Sequence, residues 1–211
     1  MSASPSLPGA CPAPLALLPP SLDRLEGYAR ALEAGWAPDE SRDVRLQTLA
    51  AVREDPAGFV RGLVAQTGTF FAPDGTPVPR IPFRMYWIDD GEFCGTINLR
   101  WQPGTLELPS YVSGHVGYGV VPWKRNRGYA RRALAMLLPE ARALGLDRVL
   151  LTCDDDNHPS RRVILANGGV FAGTAPHPHL AHKRKLLYWV STGAEPEPRP
   201  AALTPRAAPR R

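Results

Sequence analysis

The most informative stretch of the sequence reads Val120-Val121-Pro122-Trp123-Lys124-Arg125-Asn126-Arg127-Gly128-Tyr129-Ala130. Before it, valine, glycine and tyrosine alternate, which predicts a strand over 114–121 that Pro122 ends. After it, apolar side chains recur at helical spacing from Ala130 to Leu144, which predicts an amphipathic helix that Pro139 interrupts. The stretch is therefore interpreted as the turn between a strand and a long helix.

This turn has the chemistry of an anion-binding site. Gly128 lacks a Cβ, so its backbone can approach a ligand closely. The first amides of the helix, residues 126–130, have no partner within the helix, and the helix dipole adds positive potential around them. Four basic side chains add formal charge for phosphates: Lys124, Arg125, Arg127 and Arg131. The alternative is a basic helix start with an incidental glycine, because R-x-x-G-x-A is common by chance.

The other elements are predicted from hydrophobic spacing and turn residues. Helices are expected over 21–34, capped by Ser21, and over 44–66, where Pro56-Ala57-Gly58 breaks the helical region, and a hairpin is expected over 83–99. Gly145 and Leu146 predict a C-terminal cap for the long helix. Further elements are a strand at 148–152, a helix at 159–167 and strands at 169–173 and 185–190. This order predicts a mixed α/β (α+β) sandwich with at least one right-handed crossover.

The proline content divides the chain into three parts. Of 24 prolines in 211 residues, six lie in residues 1–20 and five in residues 192–211. The sequence therefore predicts a flexible proline-rich N-terminus over 1–20, one folded domain over 21–191 and a disordered Pro/Ala/Arg tail over 192–211. The formal net charge is +5, and the tail contributes +2 of it. A Pro/Ala/Arg tail is first of all a solvated, disordered end, so the location of this charge argues against a dedicated nucleic-acid function.

Several classes of protein are excluded. No apolar stretch reaches the roughly 18 residues that a membrane-spanning helix needs. The first residues lack a basic region and contain prolines, unlike a signal peptide. The three cysteines are too few and too scattered for a disulfide framework or a zinc cluster. The sequence predicts a cytoplasmic protein with no metal and no membrane association.

A second pattern follows the long helix. The strand at 148–152 leads to Asn157 and then to Pro159-Ser160 at the start of a short helix, and Asn167-Gly168-Gly169 turns into the next strand. Together with Arg125-x-x-Gly128-x-Ala130, this order resembles the acetyl-CoA-binding core of the GNAT superfamily of N-acetyltransferases over residues 114–190. The resemblance implies a mixed, mostly antiparallel central sheet flanked by helices, with acetyl-CoA as co-substrate.

The resemblance also implies roles for individual residues. Amides of residues 126–130 would hold the pyrophosphate of coenzyme A, and the two flanking strands would splay apart to admit the pantetheine arm. The backbone of Val120 would bind the arm and polarise the thioester carbonyl. Asn157 would bind the pantetheine amides, although capping of the short helix is an alternative. The implied coenzyme-binding residues are Val120, Arg125, Asn126, Arg127, Gly128, Tyr129, Ala130, Asn157 and Ser160.

The groups that move protons are less clearly marked. Many GNAT enzymes protonate the leaving thiolate with a tyrosine, but Ile164 stands at the matching position, and Tyr188 is the substitute candidate. His115 is the first candidate for the base because histidine titrates near neutral pH, and Glu107 is the second. A histidine that is simply packed at a strand end is the alternative for His115. Asp154-Asp155-Asp156 is interpreted as a solvated loop or an attraction for an amine, and not as a metal site.

The sequence therefore predicts an N-acetyltransferase that moves the acetyl group of acetyl-CoA to a primary amine by direct attack in a ternary complex. The acceptor side is expected from the N-terminal helices, the 101–114 loop and the 174–184 loop, which carries His177, His179 and His182. Two other functions stay open: a non-catalytic acyl-CoA-binding or sensor module, and a basic nucleic-acid or ribosome-associated protein that uses the tail. The amine is not identified, and a homodimer stays open.

Overall fold

The computed structural model describes residues 13–38, 44–71, 75–177, 180 and 183–193. Its helices are α1 (Leu25–Glu33), α2 (Arg45–Glu54), α3 (Pro56–Val64), α4 (Tyr129–Ala143) and α5 (His158–Ala166). Its strands are β1 (Ala16–Leu18), β2 (Thr69–Phe71), β3 (Pro77–Pro79), β4 (Phe83–Asp89), β5 (Phe93–Arg100), β6 (Val116–Val120), β7 (Arg148–Asp154), β8 (Val170–Pro176) and β9 (Arg184–Ser191). Short 3-10 turns precede α1 and α4, at Leu22–Arg24 and Pro122–Lys124. Among these residues, no helix is long and apolar enough to cross a membrane.

Two antiparallel sheets carry the fold. The first has the order β1-β4-β5-β6, and the second has the order β7-β9-β8. A separate two-stranded pair joins β2 to β3. The predicted hairpin is the β4–β5 pair, with Tyr86 opposite Ile97. The prediction of a mixed α/β fold with mostly antiparallel sheets flanked by helices is confirmed.

Hydrophobic clusters cover both faces of the first sheet. On one face, Ile97 of β5 packs in a cluster with Leu134 and Leu137 of α4. On the other face, Trp87 of β4 packs in a cluster with residues of α1 and α2, and the Tyr28 ring stacks on Trp87 with 5.4 Å between centroids. Because neighbouring strand residues point to opposite faces, Trp87 and the next residue of β4 enter different clusters.

Helix α4 matches the predicted amphipathic helix. Its buried residues follow the predicted stripe, and Pro139 lies inside it, where it removes one backbone donor. Beyond the helix, Gly145 N–H donates to Arg142 O (2.9 Å) and Leu146 N–H donates to Ala141 O (3.1 Å), which confirms the predicted cap. The predicted cap of the first helix is wrong, because the Ser21 side chain makes no capping hydrogen bond and the chain enters α1 through a 3-10 turn.

Part of the predicted flexible N-terminus belongs to the first sheet. Residues 16–18 form β1, in which Leu17 pairs with Ile88 of β4, and Leu15 is buried. For these residues the prediction is wrong, since proline density near them does not prevent a short edge strand. At the other end, Thr192 Oγ1 donates to Leu146 O (2.7 Å), one residue past the predicted end of the domain. Residues 1–12 and 194–211 lie outside the described residues, so their predicted flexibility stays a prediction.

Candidate active site

The two sheets meet at one point and then separate. His115, just before β6, donates its backbone N–H to Leu150 O of β7 (2.8 Å), and Leu150 N–H donates to His115 Nδ1 (3.0 Å). Beyond this point β6 and β7 are not paired with each other, and each is the edge of its own sheet. We call the opening between residues 116–120 and 152–154 the fork.

The fork opens into a cleft of about 820 Å³. Strand residues that line the cleft include Met85, Thr96, Asn98, Arg100, Gly117 and Gly119. Loop segments 37–38, 79–81 and 110–113 contribute further lining, together with Thr152, Cys153, Asp154, Asn157, Ser160, His177, Leu180, Lys183 and Lys185. The 101–114 loop and the 174–184 loop therefore reach the cleft, whereas the N-terminal helices reach it only through residues 37–38, which follow α1.

The predicted anion-binding turn lies at the start of α4. The buried Val121 ends the strand and donates its N–H to Cys94 O (3.0 Å). Asn126 and Gly128 both have positive φ, 60° and 78°, and the helix begins at the next residue with no side-chain cap. A Cβ on Gly128 would have no atom within 4 Å, so this backbone faces open space. The turn thus presents helix amides without a side-chain cap beside the open space at Gly128.

A buried ion pair anchors the turn to the β4–β5 hairpin. Asp90 accepts hydrogen bonds from Lys124 Nζ at 3.0 and 2.8 Å and from the hydroxyl of Tyr129, and Lys124 Nζ also lies 3.1 Å from Glu92 Oε2. Burial raises the pKa of Asp90, but the hydrogen bonds from Lys124 and Tyr129 outweigh burial and lower the pKa to about 2. We call these four residues the Asp90 cluster. The prediction that Lys124 adds charge for phosphates is wrong, because its ammonium points at Asp90.

The second predicted pattern forms the start of α5. Asn157 Oδ1 accepts from Ser160 N–H (3.0 Å), so the capping alternative is confirmed. The Ser160 hydroxyl lies 2.9 Å from the Tyr118 hydroxyl, which belongs to β6 on the opposite side of the fork. All three side chains line the cleft. Of the nine coenzyme-binding residues implied by the sequence, Asn157 and Ser160 line the cleft, and the other seven lie at the end of β6 and in the turn into α4.

Residues 77–170 match the family model described as the acetyltransferase (GNAT) domain. The chain carries a GNAT acetyltransferase domain. The matched residues run from β3 to the first residue of β8 and include the fork, the anion-binding turn and Asn157. No curated protein matches the chain at a significant level.

Solved structures of the same fold include known acetyltransferases. RimJ of Mycobacterium smegmatis, in complex with CoA-disulfide, is 22% identical; the match covers 84% of this chain and 81% of that chain, with a TM-score of 0.60. RimL, a ribosomal L7/L12 α-N-protein acetyltransferase in complex with coenzyme A, is 15% identical over 84% and 93%, with a TM-score of 0.55. The microcin C7 self-immunity acetyltransferase MccE, with acetyl-CoA and AMP, is 13% identical over 84% and 92%, with a TM-score of 0.55. These likenesses concern the fold.

None of the three predicted proton-transfer residues lines the cleft. His115 is 0% exposed, and burial, with the charge of Arg100 second, lowers its pKa to about 4. Glu107 lies exposed in the 101–114 loop, where its backbone carbonyl accepts from the Gln102 side chain (2.9 Å). Tyr188 is buried in the core beside Phe171. The structure thus contradicts these predictions, because none of the three side chains reaches the cleft.

One cleft residue of the GNAT domain, Tyr118, was not selected from the sequence, and Asp154 was selected only as part of an acidic run interpreted as a solvated loop or an attraction for an amine. Tyr118 lies at the fork, and burial raises its pKa to about 12 although its hydrogen bond with Ser160 acts in the opposite direction. Asp154 lies beside the Lys185 ammonium, and its Oδ1 is 3.6 Å from His177 Nε2. The sequence signal for Tyr118 was its place in β6 two residues before Val120. His179 and His182 lie outside the described residues.

The acidic run after β7 does not gather metal ligands in the described part of the chain. Asp154 contacts Lys185, whereas Asp156 accepts a hydrogen bond from Lys183 (2.7 Å). Within the described residues, no group of three or more histidine, cysteine, aspartate or glutamate side chains could hold a metal ion. Two of the three carboxylates, Asp154 and Asp156, are therefore paired with lysines.

Proposed function

We propose that the GNAT domain transfers the acetyl group of acetyl-CoA to a primary amine by direct attack in a ternary complex. The observation that carries this proposal is the fork itself, an opening between two strand edges with an anion-binding turn at one side and a wide cleft beside it. Such an opening can admit a thin, extended arm and an acceptor from different directions. Holding both reactants together supplies much of the rate enhancement in a transfer of this kind.

The turn at the start of α4 fits the pyrophosphate of acetyl-CoA. The positive φ values of Asn126 and Gly128 shape the turn, and the amides that follow begin a helix of 15 residues. Arg125, Arg127 and Arg131 are exposed beside the turn and supply positive charge. Lys124 does not contribute charge directly, since it is committed to the Asp90 cluster.

The edge of β6 fits the pantetheine arm and the thioester. Because Val121 N–H bonds to β5, the alternation of a strand turns the N–H and carbonyl of Val120 to the opposite edge, towards the fork. Arg125 Nε donates to Val120 O (3.1 Å), which agrees with this direction. In the proposed complex Val120 N–H donates to the thioester carbonyl and stabilises the negative charge that develops there.

The cleft beside the fork fits the acceptor. Gly117 and Gly119 of β6 line the cleft with backbone alone, and Asp154 is the one carboxylate among the described residues of the cleft lining. A carboxylate there attracts a cationic amine, and the amine must lose a proton before it attacks. The neighbouring Lys185 and His177 hold Asp154 in place. The structural neighbours RimJ and RimL leave the identity of the amine open for this chain.

Tyr118 is the proposed proton donor to the leaving thiolate. Its hydroxyl lies at the fork against Ser160, one helical turn before Ile164, and its raised pKa keeps it protonated at neutral pH. We expect Tyr118→Phe to lower kcat about 100-fold while the affinity for acetyl-CoA is kept, because the substitution removes only the hydroxyl. Steady-state kinetics and calorimetry with acetyl-CoA check this expectation. The matched control is Tyr188→Phe, which removes the hydroxyl of a buried core tyrosine and is expected to leave kcat unchanged.

The proposed function is tested with the full chain, acetyl-CoA and a panel of primary amines. We expect acetyl-CoA to raise the melting temperature and free thiol to be released when an accepted amine is added. Gly128→Val is expected to abolish the stabilisation, because a β-branched residue at a φ of 78° strains the turn. Stabilisation without thiol release for any amine would support the sensor alternative. Absence of both would refute the proposal.

A further inference from the structure

We propose that His115 is a positioning residue that joins the two sheets and sets the point at which β6 and β7 separate. It thereby sets the width of the slot, which is the part of the fork where the coenzyme arm would lie. The inference rests on the proposed function, because it concerns the same slot. It also gives a role to a histidine whose side chain does not line the cleft.

Three hydrogen bonds connect His115 to both sheets. Its backbone N–H donates to Leu150 O of β7, and its Nδ1 accepts from Leu150 N–H, so one residue satisfies both backbone groups of Leu150. Its carbonyl accepts from Arg100 N–H of β5 at 2.8 Å. The backbone N–H of His115 therefore bonds to the second sheet, and its backbone carbonyl bonds to the first sheet.

The side chain replaces a strand partner at this point. Leu150 N–H faces the place where the ladder stops, and an unpartnered buried amide destabilises a protein about as much as a lost hydrogen bond. The imidazole supplies the missing acceptor without extending the ladder. The strands are thereby held together at residue 115 and are free to diverge one residue later.

The surroundings of the ring keep it neutral and in one tautomer. Nδ1 accepts a hydrogen bond, so the proton is on Nε2, which is buried with no hydrogen-bond partner. Arg100 is the nearby charge that acts on the ring, and the Trp189 ring lies 6.0 Å away between centroids, itself under Arg148. A ring in this setting has no contact with the cleft, so its effect on catalysis must pass through strand position.

The residues that follow His115 on β6 and Leu150 on β7 form the slot. Val116, Gly117 and Tyr118 follow directly on β6, and Thr152 and Cys153 follow Leu150 on β7. All five line the cleft. Loss of the imidazole acceptor would let the two edges move apart, which changes the fit of the arm and the reach of Tyr118 to Ser160.

The test uses two amide variants of the full chain. In His115→Asn the side-chain oxygen can stand where Nδ1 stands, whereas in His115→Gln the amide lies one bond farther out, near the position of Nε2. We expect His115→Asn to keep the KM for acetyl-CoA and kcat within about threefold of wild type. We expect His115→Gln to raise the KM for acetyl-CoA about 10-fold, the size of one lost buried hydrogen bond. His115→Leu is expected to resemble His115→Gln.

The outcomes distinguish a positioning role of His115 from a role as the general base. A loss of kcat in His115→Asn with an unchanged KM for acetyl-CoA, together with loss of the acidic limb of the pH–kcat profile, would show a base and overturn the proposal. An unchanged KM in His115→Gln would also overturn it. Should His115→Leu fail to fold, the Asn and Gln pair still decides, because both are polar and similar in size to histidine.

The same experiment keeps the two proposals apart. The proposed function fails when the wild-type chain releases no thiol with any amine of the panel. The inference about His115 fails when the wild-type chain binds acetyl-CoA and the Gln variant binds it equally well. Calorimetric dissociation constants for acetyl-CoA therefore test His115 even without turnover.

Discussion

Replacing Gly95 by alanine is expected to destabilise the protein by about 3 kcal/mol or more. Gly95 pairs with Val120 across β5 and β6 at a φ of 147°, and a Cβ there would stand 2.1 Å from Gly119 O and 2.9 Å from Val120 Cα. Both are backbone atoms, so no side-chain rotation relieves the overlap. The strand that carries Val120 would have to move away from β5, and we expect acetyl transfer to fall with stability.

Urea unfolding of Gly95→Ala measures this loss, and Gly104→Ala is the matched control. Gly104 also has a positive φ, 76°, but a Cβ on it would have no atom within 4 Å. The control therefore isolates the cost of backbone conformation, about 1 kcal/mol, from the cost of overlap. Equal losses of unfolding free energy in the two variants would contradict the packing at the β5–β6 pair.

Removal of the Asp90 carboxylate is the second large effect. Asp90→Ala leaves the largely buried ammonium of Lys124 with the exposed Glu92 as its remaining acidic partner, and we expect a loss of about 2–3 kcal/mol. Since Lys124 and Tyr129 lie at the two ends of the anion-binding turn, the turn should loosen as well. We expect the KM for acetyl-CoA to rise about 10-fold or more, measured at a temperature where the variant is folded.

The pH dependence of the Asp90 contribution has a definite sign. The pKa of Asp90 in the folded protein, about 2, lies below its ordinary value of 3.8, so the unfolded chain binds more protons between these pH values. The contribution of Asp90 to stability is present above pH 4 and is lost as the pH falls towards 2. Asp90→Asn should flatten this part of the stability curve.

The control for the Asp90 variants is Glu140→Gln. Arg84 and Glu140 form an ion pair of similar length, 2.7 Å, but both side chains are more than 40% exposed. Such a pair is expected to contribute less than about 1 kcal/mol. If Asp90→Ala cost no more than Glu140→Gln, the Asp90 cluster would not anchor the turn.

The parts of the site that were predictable from the sequence depend on local chemistry. Gly128 and the helix that follows it are neighbours in the chain, so their spacing predicts a turn with open amides wherever the rest of the chain lies. Asn157 and Ser160 are likewise three residues apart. This spacing allows Asn157 to cap α5 through the Ser160 N–H, and it places both side chains in the cleft lining. The helical stripe of α4 was predictable because a single side of the helix is buried.

The errors arise from contacts between residues that are distant in the chain. Lys124 meets Asp90, which lies 34 residues earlier, and no local pattern indicates that partner. His115 has the right intrinsic pKa for a base, but pairing with Leu150 buries it. Tyr188 and Tyr118 both lie on strands, and only the packing of the sheets shows that Tyr118 reaches the fork. The two-residue period of a strand does not predict which side chains point into the fork between the two sheets.

The hydrogen bond from Leu150 N–H to the imidazole of His115 makes one amide a reporter of motion in the free protein. Strand amides exchange their hydrogens with solvent when a ladder opens, which requires cooperative unfolding of a sheet. The Leu150 amide needs only a withdrawal of one side chain, while both sheets stay intact. Its exchange rate therefore records how often the slot widens by itself, separately from the global stability of either sheet.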